Sequence, residues 1–223
     1  MPKLTELFQQ NKLTLIVELP KIDWELAEAA IGAGADALQI TMTKDRLANL
    51  AEVKKDTCRI VDCVKHPVGL SFANNVELSE KELEFIGSLH FDFLNLGVEH
   101  LSPEIVNLKM GKIISVNCRF SLEEIVDLSS SNIGAIDAAI IPSSDKGKSL
   151  TVGDLQNYIS IIVAAGLPVI IPTQRLIRPS EVAIIADTEA KALLLTSTVT
   201  GTTPKHLAQS VSEFRLAIDE LSL

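Results

Sequence analysis

Short apolar runs alternate along the chain with stretches in which apolar residues recur at three- and four-residue spacing. The runs are TLIVEL (14–19), DALQIT (36–41), VGLSF (68–72), FDFLNL (91–96), KIISVN (112–117), IDAAII (136–141), PVIIP (168–172) and KALLLT (191–196). Continuous aliphatic runs of this length suit strands buried on both faces. The stretches between them, such as DWELAEAAIGAG, LSEKELEFIGSL, SLEEIVDLSSS and TVGDLQNYISIIVAAG, read as amphipathic helices. Asp23, Ser79, Ser121 and Thr151 stand where N-caps belong, and Gly34 and Gly166 where helices must end. Eight strand–helix pairs predict a parallel sheet with helical crossovers, because parallel neighbours cannot be joined by a tight hairpin. Closure into a (βα)8 TIM barrel is the expected α/β fold, and a doubly wound open sheet is the alternative. No linker or low-complexity stretch interrupts the pattern, so residues 1–223 read as a single (βα)8 barrel domain. The first twelve residues form a short amphipathic stretch with Leu4, Leu7 and Phe8 on one face, suited to closing the barrel bottom.

The two halves of the chain echo one another. Asp36 and Asp137, Pro67 and Pro168, and Pro103 and Pro204 are each 101 positions apart, and GADALQITMTKD runs against AIDAAIIPSSDK. Two half-barrel repeats would explain this, as would the periodicity that all βα units share. A duplication would bring two equivalent anion sites, although the first-half segment NLGVEHLSPEIV places Glu99 where an anion would be repelled.

Composition narrows the class of function. Against 20 Lys and Arg stand 29 Asp and Glu, a net charge of -9, which opposes a nucleic-acid footprint. The apolar runs fall far short of a bilayer span, and the first residues lack the apolar core of a secretory signal. The three cysteines, Cys58, Cys63 and Cys118, form no C-x-x-C pair and read as reduced structural thiols. A cytoplasmic location without membrane contact is therefore expected. The four histidines show no metal-ligand spacing, and no Walker, dinucleotide or nucleophile-elbow motif is present. Neither a metal nor another cofactor is expected.

In such a barrel, functional groups gather where strands end at the C-terminal face. Strand alternation turns Glu18, Gln39, Thr41, Ser71, Asn95, Asn117 and Thr196 toward the mouth. One reading is a water-facing rim; the other is a pocket for a hydroxyl-rich ligand, with Gln39, Thr41, Ser71, Asn95 and Asn117 as substrate-binding groups. Glu18 closes an apolar strand, where an unpaired carboxylate is costly, and is the candidate proton-transfer group. Lys21 lies three residues on, as its ion-pair partner or a second catalytic group. A phosphate-binding set follows strands seven and eight: Thr173, Gln174 and Arg175, then Thr196, Ser197, Thr198 and Gly201. Thr203–Pro204 reads as N-cap and first position of a helix whose amides and dipole favour an anion. The SSDKGKS segment (143–149) is either a lid over the mouth or an exposed charged loop.

The segments AIGAGADALQI, KHPVGLSF, FDFLNLG, IISVNCRFSLEEI and PVIIPTQRLIRPSEVA, together with ALLLTSTVTGTTP at a phosphate-motif position, carry a family resemblance. The chain resembles the ribulose-phosphate-binding barrel superfamily, and within it the N-acetylmannosamine-6-phosphate 2-epimerase group. That likeness implies a small phosphorylated metabolite held by its phosphate at strands seven and eight. The chain departs from the group at strand three, where GLSFANN lacks its lysine, and at strand five, where Asn117 stands for its acid. Asn95–Gly97 replaces the strand-four acid, and PTQR the glycine-rich turn after strand seven. The expected function is an enzyme acting on a phosphorylated sugar-like metabolite, as an isomerase, epimerase or lyase. The alternatives are a catalytically degenerate phosphate-ligand-binding barrel with a regulatory role and a scaffold with a filled mouth. A homodimer enters only as a family-level expectation.

Overall fold

The computed structural model describes residues 3–43, 45, 50–72, 78–100, 105, 108–129 and 132–221. Eight parallel strands close into a barrel in chain order, with the first paired to the last. They are β1 (Thr14–Leu19), β2 (Ala37–Met42), β3 (Val68–Phe72), β4 (Phe93–Gly97), β5 (Gly111–Val116), β6 (Ala135–Ala138), β7 (Val169–Pro172) and β8 (Ala192–Leu195). The open-sheet alternative is thereby excluded.

Helices α1 (Lys3–Gln10), α2 (Trp24–Gly32), α3 (Leu50–Cys63), α4 (Glu80–Ser88), α5 (Leu122–Ser129), α6 (Val152–Ala165), α7 (Val182–Asp187), α8 (Ser197–Thr200) and α9 (Pro204–Glu220) are the α-helices among the described residues. Their starts follow the expected chemistry. Asp23 accepts from the Glu25 amide at 2.9 Å and Ser121 from the Glu124 amide at 3.1 Å. Thr151 and Asp154 close a reciprocal capping box on α6, and Glu82 accepts from the Ser79 amide at the start of α4. Each cap satisfies amides that the first turn leaves unbonded. Gly166 ends α6 at φ 56°, a left-handed position that glycine adopts without a Cβ clash.

Alternation along the strands builds two apolar layers. Outward residues such as Val17, Leu38, Ile40, Ile114 and Leu193 pack against Leu26, Ile60, Ile161 and Val211 of the helices. Inward residues, among them Ile16, Ala37, Ile113 and Ile170, fill the lower barrel. Leu4 and Phe8 of α1 are buried in that inner cluster and Leu7 packs beside it, so α1 closes the barrel bottom as its amphipathic pattern predicts. Gly69 is required at this level because an added Cβ would overlap the Phe93 ring. Asp36 accepts from the Leu15 amide at 2.7 Å and from Arg215 at 3.2 Å, tying β1 and α9 to the base of β2. Asp137, its counterpart in the sequence echo, lies instead within β6, opposite Ser115 of β5. The echoed aspartates thus occupy different levels; Pro103 and most of the 101–107 segment lie outside the described residues. Among the described residues, no helix is long and apolar enough to cross a membrane.

Candidate functional site

Above the inner apolar layer the barrel opens into a cavity of about 490 Å³. Polar side chains reach it from consecutive strands: Glu18 from β1, Gln39 and Thr41 from β2, Ser71 from β3, Asn95 from β4, Ser115 from β5 and Asp137 from β6. The alternation rule therefore places Glu18, Gln39, Thr41, Ser71, Asn95 and Thr196 correctly at the mouth. Among the described residues the space between these side chains is unfilled.

Glu18 is half-buried, and its Oε1 accepts a 2.6 Å hydrogen bond from the Thr41 hydroxyl. Thr41 lies 2.7 Å from the Ser71 hydroxyl, which links the carboxyl to two further strands. Burial raises the Glu18 pKa; the Thr41 bond and the positive charge of Lys146 oppose that rise. Asp137 is 5% exposed, and burial, assisted by the charge of Glu18, pushes it up to about 6. Asn95 Nδ2 donates to Asp137 Oδ2 at 2.8 Å and to Gln39 Oε1 at 3.0 Å. The other oxygens, Asp137 Oδ1 and Asn95 Oδ1, are buried without a hydrogen-bond partner. Leaving a buried acceptor unmet costs about 1–3 kcal/mol, so this level of the barrel carries unused polar capacity directly beneath the cavity.

Several expected residues lie elsewhere. Lys21 pairs with Asp23 at 3.0 Å on the surface, not with Glu18. Asn117 follows the last residue of β5, where the chain turns. Its Oδ1 accepts from the Arg119 amide at 2.9 Å, and it lines a separate depression with Val98 and Cys118. Alternation fails there because the strand has ended, and Ser115 is the inward polar residue of β5.

The phosphate-binding set divides in the same way. Thr196, Ser197, Thr198 and Gln174 line the cavity. Thr173 is fully buried, and its hydroxyl accepts from the Thr196 amide at 2.8 Å, clamping β7 to β8. Gly201 ends the short helix α8 at φ 66°, a turn position outside the cavity lining. Arg175 points inward to Asp154, with Nε 2.9 Å from Oδ2 and Nη2 3.0 Å from Oδ1. Its guanidinium is an internal clamp. The Thr203 hydroxyl accepts from the His206 amide at 3.3 Å, so the start of α9 is capped by its own chain.

Two polar groups of the cavity, Ser115 and Asp137, went unmarked as site residues in the sequence reading, and Lys146 joins them from the segment read there as a lid or an exposed loop. The signal for Asp137 was the one that marked Glu18, a carboxylate inside an apolar run. Lys146 comes from the 143–149 segment, whose distance from the mouth no periodicity reveals. Among the described residues, no group of three or more His, Cys, Asp or Glu is arranged to hold a metal ion.

No family model and no curated protein sequence matches the chain. Solved structures do. Thiamine phosphate pyrophosphorylase from Pyrococcus furiosus is similar over 96% of this chain and 98% of its own, at 16% identity and a TM-score of 0.69. Tryptophan synthase from Mycobacterium tuberculosis matches over 96% of each chain at 14% identity and a TM-score of 0.71. Phosphoribosyl anthranilate isomerase from Thermus thermophilus matches over 94% of this chain and all of its own, at 16% identity and a TM-score of 0.66. At these identities the likeness establishes the barrel fold.

Proposed function

We propose that the cavity is the active site of an enzyme that moves a proton on a small phosphorylated, sugar-like metabolite, as an isomerase or epimerase does. The observation that carries this reading is the pair of carboxyl groups, Glu18 and Asp137, in one partly desolvated cavity, both with raised pKa values. A surface carboxylate is too weak a base, and too rarely protonated, to serve either role near neutral pH. In this reading Glu18 takes the proton from the carbon beside a carbonyl. Asp137, still partly protonated near pH 6, is the acid that donates to the developing oxyanion. Asn95 and Gln39 hold the Asp137 carboxyl in place, and the Thr41 and Ser71 hydroxyls orient Glu18 and the substrate hydroxyls.

Lys146, Gln174, Ser197 and Thr198 are the groups suited to an anionic end of the ligand. Two of the structurally similar barrels carry a phosphate compound in their names, which agrees with this assignment. The resemblance to the ribulose-phosphate-binding superfamily supports the same ligand class; epimerisation of N-acetylmannosamine-6-phosphate has only the sequence resemblance behind it. The three free cysteines fit the expected cytoplasmic setting.

A thermal-shift screen of phosphosugars against the chain tests the ligand class, since a ligand binding only the folded state raises its stability. For any hit, Glu18→Gln is expected to keep binding and abolish turnover. A hit that is bound and never turned over by the wild type would identify the binding or regulatory alternative instead.

A further inference from the structure

We propose that Arg175 is a positioning residue: it pins the 143–149 segment so that Lys146 is held at the cavity wall as the fixed cation of the site. The functional consequence rests on reading the cavity as the ligand site; the structural arrangement stands apart from it.

The segment between β6 and α6 is long and carries four charged or turn-forming residues in succession, Asp145, Lys146, Gly147 and Lys148. Left free, such a loop would spread Lys146 over many positions. It is fastened on both sides. The Gly147 amide donates to the Gln174 carbonyl at 2.8 Å, and the Leu176 amide to the Lys148 carbonyl at 2.8 Å. Gly147 adopts φ 76° with open space around it, which turns the chain back directly after Lys146. Between the two fastening points on the partner segment lies Arg175. The residue is 7% exposed; its Nη2 donates to Asp154 Oδ1 at 3.0 Å, its Nε lies 2.9 Å from Oδ2, and its Nη1 donates to the Asp145 carbonyl at 3.1 Å. Asp154 is itself fixed by the Thr151 amide at 2.9 Å and hydroxyl at 2.7 Å.

One buried guanidinium thus joins the helix start, the segment after β7 and the residue before Lys146. One charge-assisted hydrogen bond, with a second close ion contact to the same carboxylate, holds the guanidinium in place. The outcome is visible at Lys146, which lines the cavity and whose charge acts on Glu18.

The test follows the titration of the Glu18 side chain by carbon-detected NMR, with inorganic phosphate affinity as a second readout; neither needs the substrate. The groups that act on Glu18 are the Thr41 hydroxyl, Lys146 and Asp137. Lys146→Met is expected to move the Glu18 midpoint upward and to weaken phosphate binding by roughly ten- to a hundredfold, the worth of one charge-assisted contact. Arg175→Met is expected to give the same two changes although its guanidinium lies outside the cavity, with partial recovery in Arg175→Lys. The Lys146→Met/Arg175→Met double variant should match Lys146→Met alone. If Arg175→Met does not fold, Gly147→Val displaces the segment without touching the buried pair and is expected to produce the same shift. A folded Arg175→Met, or Gly147→Val, whose Glu18 titration equals that of the wild type overturns the proposal, as does a Lys146→Met that leaves the midpoint unmoved. Failure of every phosphosugar to bind would sink the proposed function and leave the titration result standing.

Discussion

Replacing Asp137 by Asn should make the protein more stable at neutral and alkaline pH while removing its proposed acid. Asp137 is buried in β6, and its pKa rises from the usual 3.8 to about 6. The unfolded chain therefore releases this proton at lower pH than the native one does. Between those two values the native state holds more protons, so stability falls as pH rises through the window and levels off above the folded pKa. A shift of about two units corresponds to roughly 3 kcal/mol carried by the ionised native state above about pH 6. Asn is close to isosteric, keeps an oxygen to accept from Asn95 Nδ2, and has no charge to desolvate. Urea unfolding of wild type and Asp137→Asn, followed by circular dichroism from pH 4.5 to 8, should show curves that differ least at the acid end, where ionisation of the unfolded carboxyl already costs the wild type about 1 kcal/mol. They should separate to about 2–3 kcal/mol in favour of the variant by pH 8. A variant no more stable than wild type at pH 8, or a difference that does not change with pH, would refute the burial argument.

Three further substitutions probe the surroundings. Gly69→Ala places a methyl group into the Phe93 ring and should cost about 1–3 kcal/mol by overpacking, measurable as a lowered urea midpoint. Phe8→Ala empties the plug at the barrel bottom and should cost about 3–5 kcal/mol in the same assay, with no change in phosphate affinity at the opposite end. Thr41→Val removes the hydrogen bond that lowers the Glu18 pKa, so the Glu18 midpoint in an NMR titration should move up.

The barrel was legible because strand burial on two faces and helix amphipathicity are local patterns that the closed sheet then satisfies together. β1 and β3 run as expected, Thr14–Leu19 and Val68–Phe72, and the remaining strands differ from expectation mainly in their ends. The mouth was legible as far as alternation holds. Gln39, Thr41, Ser71 and Asn95 sit inside regular strands and point where parity puts them; Asn117 lies past the end of β5, where a turn replaces the period of two. Arg175 shows a second limit. Residue type and position after β7 suit a phosphate clamp, but the buried carboxylate of Asp154 takes the guanidinium, and that pairing spans a loop and a helix start. Lys146 shows the converse, a cation delivered to the site by contacts far from it in sequence.

The most direct test of the central claim is deuterium wash-in. Phosphosugars that bind the protein are incubated with it in D2O, and loss of the C–H signal beside the carbonyl is followed by proton NMR. Exchange at one carbon with the wild type, and none with a Glu18→Gln variant that still binds the compound, is the expected result. Equal exchange rates in the two proteins would contradict the account.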